Sequence, residues 1–157
     1  MKKFLSLQIL IVAAGAAFAW SAVFGDFSRF FAAGGQLAKF SGCRFPNPLA
    51  TPCFYGAAVF LLALAGAAFI WQMQKRSGQK KLAWLLFCGS LFAWSVNAWE
   101  FYKFFRPHTG TYIGCSGLAA KSPLYTPCFT GACFYLAAFL FSLWLLKKWP
   151  VSNKPAQ

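Results

Sequence analysis

Four cysteines in two similar settings are the residues of this sequence best suited to redox chemistry. Cys43 and Cys53 are separated by nine residues, and Cys115 and Cys128 by twelve. In each setting the second cysteine follows a Thr-Pro pair and begins a long apolar run. Threonine is a common N-cap and proline a common first helical residue, which predicts Cys53 and Cys128 in the first turn of a helix. The free amides and the helix dipole there favour a thiolate, the reactive form in thiol–disulfide exchange.

The same cysteines also have a purely structural interpretation. Each pair can close a small loop, and such a disulfide stabilises a fold by about 2 to 4 kcal/mol because it restricts the unfolded chain. Arg44 adds a cation beside Cys43 in the first pair only. Bridges from Cys43 to Cys115 or from Cys53 to Cys128 stay open as well, since four cysteines allow three pairings. No CxxC spacing is present and the methionines do not cluster with the cysteines, so we assign no metal site.

The segments that carry these cysteines are predicted to be membrane helices. Of the 157 residues, 59% are hydrophobic and 20% aromatic, more than a small soluble fold can bury. Four apolar runs approach the length of about 20 residues that crosses a bilayer, at 4–24, 53–73, 82–99 and 128–146. Helices are expected because every backbone polar group must be paired within lipid.

The charge distribution indicates the lipid bilayer as a partner and no nucleic acid. The net charge is +13, but the basic residues form short clusters between apolar runs, as membrane flanks do. Nine of them lie near the termini and in the middle loop, and six in the two long loops. This asymmetry predicts cytoplasmic termini and periplasmic or extracellular cysteine loops in a bacterial-type inner membrane. Disulfides persist on that outer side.

The chain also contains an internal repeat. Residues 4–73 and 82–148 align as two hairpins, and the run from Trp20 to Phe31 matches the run from Trp94 to Phe105 at an offset of 74. The first run resembles a secretory signal with a cleavage site, but its echo in the second half favours a retained helix. We therefore predict an all-α integral membrane fold with four transmembrane helices formed by tandem duplication of a two-helix hairpin.

The only two acidic residues, Asp26 and Glu100, occupy matched positions in this repeat. Each has a basic residue three positions later, Arg29 or Lys103, which is the spacing of a helical ion pair. One interpretation is an interfacial ion pair that ends a helix. The other is a polar site or proton path, because ionisable residues within membrane segments are usually functional.

The four helices and the outer cysteine pairs, Cys43 with Cys53 and Cys115 with Cys128, resemble the bacterial disulfide-bond-formation (DsbB-type) membrane proteins. A more distant resemblance is to the vitamin K epoxide reductase group. The resemblance implies thiol–disulfide oxidoreduction, a quinone as electron acceptor and a periplasmic thiol protein as partner. The alternative is a non-enzymatic subunit of a membrane complex or a small-solute carrier, with structural disulfides and Asp26 and Glu100 serving contact or passage.

Overall fold

A computed structural model of the chain describes residues 2–37, 46–106, 112–114 and 117–149. These residues form four long helices: α1 (Lys2–Ala32), α2 (Pro52–Met73), α3 (Arg76–Phe105) and α4 (Pro127–Lys148). Short 3₁₀ helices, Pro48–Ala50 and Pro123–Tyr125, precede α2 and α4. The fold is therefore all-helical over the described part of the chain, apart from one isolated β-bridge between Ile113 and Ala119.

All four helices are long and apolar enough to cross a membrane, which confirms the predicted number of spans. Their outer faces carry large apolar side chains that are more than half exposed, among them Leu10, Phe24, Leu62 and Trp84. Surfaces of this kind are unfavourable in water and require lipid or another apolar partner. The composition and the helices together define a polytopic membrane protein.

The four helices form a closed bundle. Helix α1 packs against α2 and α4, and α3 packs against the same two helices from the other side. Only Gln74 and Lys75 separate α2 from α3, and Gln74 makes this turn in the left-handed conformation. One end of the bundle, the basic end, thus has Lys75 together with the start of α1 and the end of α4. The opposite end, the cysteine end, has the starts of α2 and α4.

Two aromatic rings fill the centre of the bundle. Phe60 of α2 and Tyr135 of α4 stack with ring centroids 3.9 Å apart, and both are buried. Gly15 of α1 admits the first ring, since a Cβ there would lie 2.6 Å from Phe60. Gly89 of α3 admits the second, because a Cβ there would lie 2.5 Å from Tyr135. Small residues let helices pack closely in lipid, and here they make room for aromatic side chains of the neighbouring helix.

Candidate functional site

The local sequence positions Cys53 and Cys128 as predicted, in the first turns of α2 and α4. Thr51 is the N-cap of α2: its hydroxyl oxygen accepts from the Phe54 amide at 3.4 Å and its hydroxyl donates to the Pro48 carbonyl at 2.7 Å. Thr126 occupies the same position before α4 and donates to the Pro123 carbonyl at 2.6 Å. It makes no side-chain hydrogen bond to α4, so the expected cap is complete only at α2.

The two helix starts bring the sulfurs of Cys53 and Cys128 within 3.0 Å of each other. A disulfide bond is about 2.05 Å long, so these atoms are in contact without a covalent bond. Both residues are half-buried. The second cysteine of each sequence pair therefore meets its counterpart at the cysteine end, 75 positions apart in the chain.

Of the remaining cysteines, the structure describes Cys88 and Cys133, and neither takes part in this contact. Cys43, Arg44 and Cys115 lie outside the described residues, so their predicted roles stay predictions. Cys88 and Cys133 are exposed on α3 and α4. The chemistry of the described site thus rests on Cys53 and Cys128.

A cavity of about 50 Å³ lies beside the two sulfurs and is walled by all four helices. Its lining residues are Phe18, Ala19, Ala22, Pro52, Cys53, Gly56, Ala57, Phe60, Phe92, Ala93, Val96, Pro127, Cys128, Gly131, Ala132 and Tyr135. The Tyr135 hydroxyl donates to the Gly56 carbonyl at 2.6 Å and is thereby already paired. The apolar wall offers water few partners, and the space is well below the roughly 150 Å³ that holds a benzene ring. It therefore leaves room for small movements of the surrounding side chains.

The acidic residues approach this site from α1 and α3. Both are buried, with Asp26 8% and Glu100 3% exposed. Asp26 forms an ion pair with Arg29, and Glu100 forms one with Lys103 at 2.6 Å, so both of the ion pairs that the spacing predicts are present. The two acids therefore occupy matched positions near the ends of α1 and α3, buried and each paired with its own cation.

Tyr112 makes a contact that the sequence did not indicate. Its hydroxyl donates to the second oxygen of Glu100, and its ring stands edge-on to Phe104 with centroids 5.4 Å apart. Burial raises the pKa of Tyr112, and the hydrogen bond to Glu100 raises it further. The hydroxyl consequently stays protonated and remains a donor at neutral pH. A loop tyrosine has no spacing signal, so only the folded chain shows this pairing.

Asn97 supports the start of α4 from α3. Its side-chain amide donates to the Ala93 carbonyl at 2.8 Å and to the Cys128 carbonyl at 3.2 Å. Asn97 is 1% exposed, and its side-chain oxygen has no hydrogen-bond partner within the described part of the chain. A signal for it did exist, because Asn97 is the only asparagine in the apolar run that forms α3, and polar residues in membrane helices often mark sites.

Comparison with known protein families, curated proteins and solved structures finds no match to this chain. The function must therefore be inferred from the site itself, within the class of polytopic membrane proteins that the four helices define.

Proposed function

We propose that this protein is a membrane thiol–disulfide oxidoreductase that passes electrons from one cysteine pair to the other. The first pair is Cys43 with Cys53, and the second is Cys115 with Cys128. In this proposal the contact between the sulfurs of Cys53 and Cys128 is the point of transfer. Their separation of 3.0 Å is the single observation that carries the proposal. Thiol–disulfide exchange requires direct attack of one sulfur on another, so the reacting atoms must meet.

The exchange is a sequence of balanced steps. A dithiol of an external protein reduces the Cys43–Cys53 disulfide and becomes a disulfide itself. The Cys53 thiolate then attacks Cys128, which forms a Cys53–Cys128 bond, breaks the Cys115–Cys128 bond and releases Cys115 as a thiolate. Cys43 next attacks Cys53, which restores the first disulfide and releases Cys128. Two electrons have then moved from the first pair to the second.

An oxidant must restore the second pair, and a quinone is the chemical class that we propose. A quinone takes two electrons and two protons to become a hydroquinone, which balances oxidation of the Cys115 and Cys128 thiols to a disulfide. Quinones are apolar ring compounds that dissolve in the bilayer, where the exposed aromatic side chains of this bundle lie.

The proposal includes the membrane sidedness and the origin of the fold. The basic end faces the cytoplasm under the positive-inside rule, so the cysteine end faces the oxidising side of a bacterial-type inner membrane. Its partner there is a periplasmic thiol protein.

A tandem duplication of residues 4–73 into 82–148 is supported by the cavity, whose lining residues form pairs 74 or 75 positions apart, such as Phe18 with Phe92.

A small-solute carrier is the alternative function, and the packing favours it less. A carrier requires a polar path inward from Asp26 and Glu100. The stacked rings of Phe60 and Tyr135 instead fill the centre of the bundle. A second alternative is a non-enzymatic subunit whose disulfides are structural. The redox state of the cysteines distinguishes this alternative from the oxidoreductase.

The decisive experiment traps thiols in membranes that contain the protein with Cys88 and Cys133 replaced by alanine. A reduced dithiol peptide is added with or without a soluble quinone, and free thiols are alkylated and located by mass spectrometry. We expect alkylation at Cys115 and Cys128 without quinone and its loss when quinone is present. Cysteines that stay oxidised throughout and accept no mixed disulfide would exclude the proposal.

A second measurement isolates the sulfur contact. Cys43→Ser and Cys115→Ser are added to the same background, which leaves only Cys53 and Cys128. Mild oxidation is expected to join them within one chain, because a small approach from 3.0 Å forms the bond. The matched control restores Cys133 and replaces Cys128, and it should form no bond because Cys133 is exposed on α4.

A further inference from the structure

We propose that Tyr112 is a positioning residue that docks the described residues on either side of Cys115 against the start of α4, through its hydrogen bond to Glu100. This inference rests on the proposed function, because it names the group that brings the second cysteine pair to its place. The Tyr112–Glu100 hydrogen bond is called the docking contact below.

Tyr112 belongs to a short closed segment that ends at Ala120. The Ala120 amide donates to the Tyr112 carbonyl at 3.0 Å, and the Gly114 amide donates to the Leu118 carbonyl at 2.9 Å. Ile113 and Ala119 form an antiparallel bridge between these two bonds. In the sequence Cys115 stands between Gly114 and Gly117, so the described residues on both sides of it belong to this anchored segment.

The segment packs against the helix start that carries Cys128. A Cβ at Gly114 would lie 3.2 Å from the Thr126 side chain, and Thr126 is the N-cap of α4. Glycine at this position therefore permits a close approach that a larger residue would oppose. This brings the chain on one side of Cys115 to within two residues of Cys128.

The docking contact is the polar anchor of this packing. Tyr112 is 7% exposed, and its hydroxyl donates to one oxygen of Glu100 while Lys103 holds the other oxygen at 2.6 Å. The Tyr112 hydroxyl is protonated at neutral pH and can therefore donate to this carboxylate.

The first half has no such contact among the described residues. Asp26 occupies the position matched to Glu100, and its side-chain partner in that part of the chain is Arg29 alone. The docking contact thus distinguishes the second cysteine pair from the first. It suits the second pair to the role of internal acceptor, whose cysteines must be held for attack by Cys53.

The test measures electron transfer between pairs in a single turnover of the full-length protein in membranes. A dithiol peptide reduces the first pair, and acid quenching followed by alkylation gives the rate at which thiols appear at Cys115 and Cys128. Tyr112→Phe keeps the ring and removes only the hydroxyl. We expect transfer to slow by about tenfold or more, since a hydrogen bond to a charged group contributes at least about that factor to the docked population.

Substitutions at Glu100 separate the hydrogen bond from the charge. Glu100→Gln keeps an oxygen that can accept from Tyr112 but removes the charge, so its rate should lie between those of the unmodified protein and Tyr112→Phe, whereas Glu100→Ala should be as slow as Tyr112→Phe. Tyr102→Phe is the matched control, because Tyr102 is an exposed tyrosine at the same end of α3. A normal rate in Tyr112→Phe, or equal slowing by Glu100→Gln and Glu100→Ala, would overturn the inference.

Amide hydrogen exchange tests docking without any redox step. The Gly114 and Ala120 amides should lose protection in Tyr112→Phe and retain more of it in Glu100→Gln. If the unmodified protein transfers no electrons between pairs, the proposed function fails, and these amides still decide the docking contact. Unchanged protection in Tyr112→Phe would refute docking by Tyr112 whatever the redox result.

Discussion

The two halves of the bundle place matched residues in matched positions but give them different partners. Asp26 pairs with Arg29, whereas Glu100 pairs with Lys103 and also accepts a hydrogen bond from Tyr112. At the centre the first half contributes a phenylalanine and the second a tyrosine. The Tyr135 hydroxyl reaches across to the Gly56 carbonyl at 2.6 Å.

The two halves share an apolar framework, whereas their polar contacts differ. The shared part comprises the glycine positions and the stacked rings, which bring the starts of α2 and α4 together. The part that is not shared consists of three hydrogen bonds made by side chains of the second half. Tyr112 donates to Glu100, Asn97 to the Cys128 carbonyl and Tyr135 to the Gly56 carbonyl. A symmetric framework thus presents two sulfurs in unequal surroundings, which is what the proposed transfer in one direction requires.

The largest effects are expected where the halves are alike. Phe60→Ala and Tyr135→Ala should each lower the free energy of unfolding by about 3 to 5 kcal/mol, because either change leaves a void against a glycine. Unfolding in a denaturing detergent measures the loss. Phe69→Ala is the control, since Phe69 is 60% exposed on the outer face of α2. A Phe60→Ala protein as stable as Phe69→Ala would contradict the central role of the stack.

A smaller effect should reveal the difference between the acids. Arg29→Gln should cost about 1 to 3 kcal/mol of unfolding free energy, because it leaves the buried Asp26 carboxylate without its cation. The value belongs at the lower end of this range, since the Arg29 side chain is 36% exposed. Lys103→Gln should cost less, because Tyr112 still donates to Glu100.

The rescue of the arginine variant provides its control. Adding Asp26→Asn to Arg29→Gln removes the unpaired charge and should restore most of the lost stability in the same unfolding assay. Equal losses from Arg29→Gln and Lys103→Gln would show that the Tyr112 hydrogen bond does not compensate for the missing cation.

The smallest effect is expected from making the two central rings alike. Tyr135→Phe keeps the stack and removes the hydrogen bond to Gly56, which should cost about 1 kcal/mol. Because Gly56 lies one turn beyond Cys53, oxidation of the Cys53–Cys128 contact should also slow. Tyr55→Phe is the control, since Tyr55 is 55% exposed. Equal stability and equal oxidation rates in Tyr135→Phe and Tyr55→Phe would show that the Tyr135 hydroxyl does not contribute to the site.

The sequence predicted the features that depend on local chemistry. The four apolar runs, the helix start at Thr51 and Pro52, and the ion pair from Asp26 to Arg29 each follow from residues close together in the chain. Helices α1 and α3 extend beyond the predicted runs at 4–24 and 82–99, because their polar residues also lie within the helices.

The contacts between distant residues could not be predicted in this way. Spacing allowed several partners for Cys53, and only the packing of α2 beside α4 brings it to Cys128. The pairing of Tyr112 with Glu100 likewise depends on where the loop after α3 returns. Hydropathy and capping signals contain no information about contacts between residues that are distant in the sequence, because those contacts depend on tertiary packing.

The ring pair of Phe60 and Tyr135 has a consequence for the two compartments that a membrane separates. It lies about 10 Å along the helices from the sulfurs, between them and the basic end. The stacked rings close the bundle between the sulfurs and the basic end. A polar thiol reagent is therefore expected to reach Cys53 and Cys128 from the cysteine end alone.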